Sequence, residues 1–411
     1  MANRSANRQR VQARNPASNR QPGAAPPPGL PTSGDGALGQ DSAPRLDAQS
    51  DSPLQVTTLG CHALAGLDPQ ALGLTYTFTA AEAGKPYPMT IRFEGRRVGV
   101  NRKSGPRDRF EVATTVDRVL PGSGRVAVTA RVTDLVPGQW RVVARATPGT
   151  RAGRNGVDAR RDRAGASTVG ATAWAPFVQV RAPGVRIGAW PGLVTAGAAV
   201  ALGVQAGLAS HLQLPVLRVL LVSLLACVLG VAGAKLYYLV LHPEARSRWL
   251  FGGMCIQGFV LAAVGALALG SWAGGVPVGT VLDVTAPGLL LGMTIGRFGC
   301  FFGGCCAGRP TASRWGMWSS DRQLGVRRIP TQLLESALAG ALGVAALLLV
   351  ADRAVHPAGV VFVGAIAAYT LGRQLLFPLR GLPRQTRHGR LIVLLLAAAV
   401  LVADVIAAAL G

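Results

Sequence analysis

The sequence predicts a mainly α membrane protein, with seven transmembrane helices preceded by a β-sandwich of immunoglobulin or fibronectin type and a disordered basic tail. Three observations carry that prediction. Apolar residues make up 49% of the 411-residue chain and concentrate after about residue 186. There they form seven runs near the roughly 20 residues a helix needs to cross a bilayer. Before them, short alternating segments stand between Gly/Pro turns, as sandwich strands do. The expected boundaries are 1–55 for the tail, 56–182 for the sandwich and 187–411 for the membrane domain.

The tail is rich in Asn, Arg, Gln, Pro and Gly, with too little apolar surface to offset the entropy of ordering. It shows no apolar core of a secretory signal. Five strand candidates follow: Leu72–Phe78, Met89–Phe93, Phe110–Val116, Val126–Val132 and Trp140–Ala144. The stretch 150–168, dense in Arg, Asp and Gly, is expected to be a mobile loop. No set of residues in this domain resembles a catalytic constellation, so it reads as a spacer or interaction module. The membrane spans are expected near 189–210, 216–240, 250–273, 279–303, 333–351, 357–378 and 390–410. Trp190, Trp249, Trp272, Tyr237 and Tyr238 flank them, as an interfacial belt requires.

The net charge of +23 is nearly all arginine. Those arginines scatter through tail, β region and membrane loops rather than along one recognition element. No nucleic-acid partner is therefore expected, and anionic lipid headgroups are the simpler counterpart. Of the six cysteines only Cys61 lies in the polar half, so that half has no disulfide framework.

One segment, Gly296 to Pro310, is the most informative. It sets Arg297 inside an apolar run. A charged side chain at membrane depth is costly and usually faces a bundle interior or a wet cavity. Gly292, Gly296, Gly299 and Gly303 recur at helical spacing, so a neighbouring helix is expected to approach closely along them. A guanidinium beside such a seam reads as an anion site, most simply for a lipid phosphate.

Four ordered blocks over about residues 187–410 resemble the prolipoprotein diacylglyceryl transferase family. Ala232-Gly233-Ala234-Lys235-Leu236-Tyr237-Tyr238 is similar to its Gly-Ala-Arg-Leu-Tyr-Tyr helix. Gly252-Gly253-Met254 resembles the start of its Gly-Gly-Met-Ser-Phe-His-Gly-Gly block. Leu282-Asp283, Ala286-Pro287 and Gly296-Arg297-Phe298-Gly299 through Gly308-Arg309 resemble its signature segment. Ile329-Pro330-Thr331-Gln332-Leu333-Leu334-Glu335 resembles its His-Pro-Ser-Gln-Leu-Tyr-Glu block. Arg373 and Arg380 stand where the family has a late arginine pair.

The resemblance implies transfer of a diacylglyceryl group from phosphatidylglycerol to the lipobox cysteine of a prolipoprotein, in a bacterial plasma membrane. It implies no cofactor, and no metal ligands are assigned. Arg297 would grip the phosphate by a bidentate fork, and Arg373 would polarise the leaving phosphate. Glu335 would orient one of these arginines or accept a proton, and Gln257 occupies the family's histidine position. Arg309, Arg380, Cys300, Gly304 and Gly308 would line the lipid site. The partners implied are the phospholipid and the signal-peptide region of a prolipoprotein.

The chain departs from the family where polarity matters. An amide such as Gln257 cannot take up a proton near neutral pH. The signature's asparagines fall on Cys300 and Gly303, and its glutamate on Cys305. A tyrosine falls on Pro191, another on Leu334, and the glutamate between the late arginines on Phe377. Cys300, Cys305 and Cys306 are the novelty, open to three readings: packing at a glycine seam, a reactive or redox pair, or a metal site. Two alternatives to the family activity follow. One is a sister lipid-modifying enzyme with a cysteine nucleophile; the other is a phospholipid-binding membrane protein without turnover. The positive-inside rule places the N-terminus in the cytoplasm, whereas the family has the reverse topology.

Overall fold

The computed structural model describes residues 52–57, 68–99, 105–148, 165–175, 178, 184–186, 188–243, 253–353, 356–381 and 388–410. The bulk of the expected tail lies outside these residues, as do Cys61, Trp249, Gly252 and most of the expected loop at 150–168. The chain forms two compact units, Met1–Arg181 and Ala182–Gly411.

The first unit is built of antiparallel strands: β1 (Leu54–Thr57), β2 (Gln70–Thr79), β3 (Tyr87–Arg97), β4 (Arg109–Val119), β5 (Arg125–Leu135), β6 (Gln139–Pro148), β7 (Ala166–Ala171) and β8 (Ala173–Trp174). β2 pairs with β1, β5 and β8; the second sheet runs β4-β3-β6-β7. All five strands expected from alternation are present, each longer than the alternating core alone. The reason for alternation is visible in β3, where Tyr87, Met89, Ile91, Phe93 and Gly95 point inward and the residues between them do not. Leu72, Leu74, Met89, Ile91, Phe93 and Trp140 are fully buried. Gly170 of β7 lies so close to Val56 of β1 that a Cβ would sit 2.3 Å from its methyl carbon. Residues 166–168, expected in a loop, belong to β7. They pair with β6 through backbone hydrogen bonds, which a polar, glycine-containing sequence does not advertise.

The second unit has seven helices long and apolar enough to cross a membrane. They are α1 (Ala189–His211), α2 (Val216–Leu241), α3 (Ile256–Ala273), α4 (Val278–Phe302), α5 (Thr331–Ala351), α6 (Val360–Leu376, extended by a 3-10 turn to Leu379) and α7 (Gly389–Leu410). α4 is the central helix, packed on α1, α5 and α6. α7 lies at the periphery and exposes Leu391, Ile392, Leu395, Leu396, Val402, Val405 and Ile406. In water such a face would be unfavourable; in hydrocarbon it needs no partner.

Small residues set the close crossings. A Cβ on Gly197 of α1 would lie 2.4 Å from the Gly292 carbonyl oxygen of α4. One on Gly258 of α3 would lie 2.3 Å from the Gly233 oxygen of α2. Gly299 and Gly303 pack against Trp190 and Leu193 of α1. Gly296 does not join that seam as its spacing predicts, because the place a side chain would fill there is open space.

Between α4 and α5 the chain forms a hairpin, β9 (Met317–Ser320) and β10 (Leu324–Arg328). Buried Asp283 of α4 accepts the backbone N–H groups of Gly359 (2.6 Å) and Phe362 (2.9 Å). It thereby caps the N-terminus of α6, where helical N–H groups have no intrahelical partner.

Candidate functional site

α5 begins at Thr331, and its first turns present Thr331, Gln332, Glu335 and Ser336, all buried, toward α4 and the loop after it. The i, i+4 spacing places these side chains on one side of the helix. Ser336 Oγ donates to the Thr294 carbonyl of α4 at 2.8 Å. Gln332 Nε2 donates to the Cys305 carbonyl at 3.0 Å and Thr331 Oγ1 to the Cys306 carbonyl at 3.4 Å.

That loop is also held on both flanks. Arg309 N–H bonds the Leu379 carbonyl and Gly381 N–H bonds the Ala307 carbonyl, at 2.9 and 3.1 Å. On the other side, Ile329 N–H bonds the Arg309 carbonyl and Thr311 N–H the Arg327 carbonyl, at 3.0 and 2.9 Å. Gly308 sits at the centre of this ladder; a Cβ there would lie 2.0 Å from the Ile329 carbonyl oxygen. Buried Arg328 reaches in from β10, donating to the Gly308 carbonyl (3.0 Å) and to Asp321 (2.6 Å). Burial holds its guanidinium below the ordinary arginine range, opposed by the Asp321 charge.

The held loop and the buried helix face meet at one charged centre. Glu335, with no exposed side-chain surface, contacts two arginines. Arg297 Nη1 of α4 lies 2.9 Å from Oε2, and Arg380 Nε, just past α6, lies 3.1 Å from Oε1. Arg380 Nη2 also bonds Oε2 at 3.5 Å. Arg297 Nη2 donates to the Tyr369 hydroxyl of α6 at 3.0 Å. Arg309 Nε bonds the Arg380 carbonyl at 3.2 Å and so fixes its backbone. Two guanidinium groups on one carboxylate leave a surplus positive charge. The Arg380 Nε and Glu335 Oε1 contact is not an aligned hydrogen bond, so hydrogen-bonding capacity at the centre stays unused. Desolvating three charges is costly, and one surplus cation in a buried centre favours an anionic ligand.

Cys300, Cys305 and Cys306 converge beside this centre, with Sγ atoms all within 4.8 Å of one another.

The structure thus brings together Arg297, Glu335 and Arg380 from the residues singled out in the sequence, with Arg309 one bond further out. It does not join Arg373 to them. That side chain is half-buried on α6, one turn beyond Tyr369, and has no hydrogen bond or ion pair among the described residues. Glu335 orients Arg297, one of the two arginines expected for it, and its second cation is Arg380 rather than Arg373. Gln257 is exposed in the first turn of α3 and touches none of the charged centre. Gly304 (φ +65°) and Gly308 serve the backbone, one in a left-handed helix cap and one in the ladder. Tyr369 went unnoticed in the sequence, although its i, i+4 spacing from Arg373 in an apolar helix marks a polar face.

Comparison with known proteins follows the same segment of chain. The family model described as Prolipoprotein diacylglyceryl transferase matches residues 178–409. Phosphatidylglycerol–prolipoprotein diacylglyceryl transferase 2 of Streptomyces coelicolor is 35% identical over 173 residues, 37% of this chain and 53% of that protein. The Clostridium tetani protein named phosphatidylglycerol–prolipoprotein diacylglyceryl transferase is 30% identical over 165 residues, 38% of this chain and 65% of that protein. The protein of that name from Chloroflexus aggregans is 37% identical over 101 residues, 23% of this chain and 33% of that protein. The chain spans about half the length of the curated relatives it matches.

Proposed function

The chain belongs to the prolipoprotein diacylglyceryl transferase family, and from that premise we propose that it is a lipid-modifying enzyme of the bacterial plasma membrane. In this reading it moves the diacylglyceryl group of phosphatidylglycerol to the lipobox cysteine of a prolipoprotein. The observation that carries the proposal is the Arg297–Glu335–Arg380 centre, buried and holding a surplus positive charge.

In the transfer, the acceptor cysteine's sulfur pair forms a C–S bond to the glyceryl carbon. The C–O bond to phosphate breaks, and its electron pair leaves with glycerol phosphate. Negative charge therefore grows on the phosphate oxygens as the reaction proceeds. Cationic donors fixed beside those oxygens stabilise that change more than they stabilise the bound lipid. Arg297 is fixed by Glu335 and Tyr369, and Arg380 by Glu335 and, through its backbone, by Arg309. Gly296 leaves open space one residue from Arg297, which supports access by a headgroup. Glu335 orients both cations. The acceptor thiol's proton leaves with the departing phosphate.

One observation favours a second reading. Gln257, at the family's histidine position, is exposed and apart from the charged centre. A chain that binds the lipid without turning it over would show that pattern. The test is the purified full-length chain incubated with labelled phosphatidylglycerol and a lipobox peptide. A thioether-linked diacylglyceryl peptide, abolished by Arg297→Ala, supports the enzyme. Lipid binding that weakens in the same variant, with no thioether, supports the second reading.

A further inference from the structure

The lipid chemistry makes no use of the three clustered thiols, and their convergence has its own cause in the backbone. α4 ends in a Schellman cap. Gly304, at φ +65°, bonds through its N–H to the Phe301 carbonyl (3.5 Å), and Cys305 N–H bonds the Cys300 carbonyl (3.1 Å). Such a cap sets the residue after the glycine against the residue five positions earlier, where two apolar side chains usually meet. Here both are cysteines. Cys306 then adopts φ +55°, a left-handed conformation that residues other than glycine rarely take. Strain of this kind persists only where the surroundings hold it. Here Gln332 and Thr331 hold the Cys305 and Cys306 carbonyls.

We propose that Cys300, Cys305 and Cys306 bind one borderline or soft divalent cation of the zinc class through three thiolates, with a fourth position open. Metal–sulfur bonds of about 2.3 Å in a tetrahedron place sulfurs roughly 3.8 Å apart. The 4.8 Å envelope of the three Sγ atoms needs to contract by only about 1 Å to reach that spacing. A disulfide, at about 2.05 Å, joins only two of the three sulfurs and leaves the third thiol unexplained. The thiol protons leave to solvent as the metal enters. Bound there, the cation would pin the end of α4 to the loop that carries Gly308 and Arg309.

The full-length chain, purified in detergent with a thiol-free reductant and stripped with a chelator, is titrated with Zn²⁺ and separately with Cd²⁺. One equivalent per chain is expected, with cadmium–thiolate charge-transfer absorption sized for three sulfurs. Cys300→Ser, Cys305→Ser and Cys306→Ser are each expected to weaken binding by on the order of 100-fold or more, since altering even outer-shell partners costs 10–100-fold. Cys227→Ser, on an exposed position of α2, is expected to change nothing. Alkylation counted by mass spectrometry on the wild-type chain is a second readout that needs no variant: Zn²⁺ should protect three thiols, and the chelator should release them. Failure of the reduced chain to take up either ion overturns the proposal. So does uptake that leaves all three thiols open to alkylation, or a cluster disulfide that binds no metal after reduction. None of these results depends on lipid binding or turnover.

Discussion

Two carboxylates buried in the helical unit, Asp283 and Glu335, differ in what satisfies them. Asp283 receives backbone N–H groups at the start of α6. Its charge is spread over a helix terminus and demands no other ion. Glu335 receives two guanidiniums, and the sum of that centre is positive. The first arrangement is complete within the fold. The second leaves charge for a ligand. Burial of an acidic side chain therefore does not mark a site; the sign left over after its partners are counted does.

Substitutions sharpen the contrast, beginning with the largest effect. Glu335→Ala leaves two buried cations without their counter-charge and should destabilise the helical unit by about 3–5 kcal/mol, read as a shifted unfolding midpoint in detergent. Arg297→Ala removes charge-assisted bonds worth about 1.5–3 kcal/mol. It should weaken phosphatidylglycerol binding by about 10- to 100-fold. Asp283→Asn keeps one acceptor oxygen for two N–H groups and should cost about 1–3 kcal/mol of stability. It should leave lipid affinity unchanged; a parallel loss of lipid binding would erase the distinction between the two carboxylates. Tyr369→Phe removes one acceptor from Arg297 and should cost about 0.5–1.5 kcal/mol, seen as a slightly lower affinity for the same lipid.

Legibility in the sequence followed the physical signal each feature carries. Apolar runs announced the seven helices, and alternation announced five strands, because burial imposes those periods directly. The glycine seam was legible at Gly292, Gly299 and Gly303 but not at Gly296, where spacing says nothing about what lies opposite. The hairpin Met317–Ser320 and Leu324–Arg328 was hidden, since short arginine-bearing strands look like a charged loop. Arg297 stood out as a charge in an apolar helix. Its true companion did not. Arg373 and Arg380 are equivalent as letters, and only the Gly308–Arg380 backbone bridge places the second beside Glu335. The thiol cluster was visible as a count; Gly304 as the cap residue is the local feature that foretells Cys300 meeting Cys305.

The centre at Glu335 is tested most directly by native mass spectrometry of the detergent-solubilised chain with equimolar phosphatidylglycerol and phosphatidylcholine. Wild-type protein should retain the anionic lipid selectively. Arg297→Lys, which keeps the charge but loses the planar fork, should retain less of it, and Arg297→Ala should show no preference. Equal retention of both lipids by the wild-type chain, or selectivity that survives Arg297→Ala, would contradict the account.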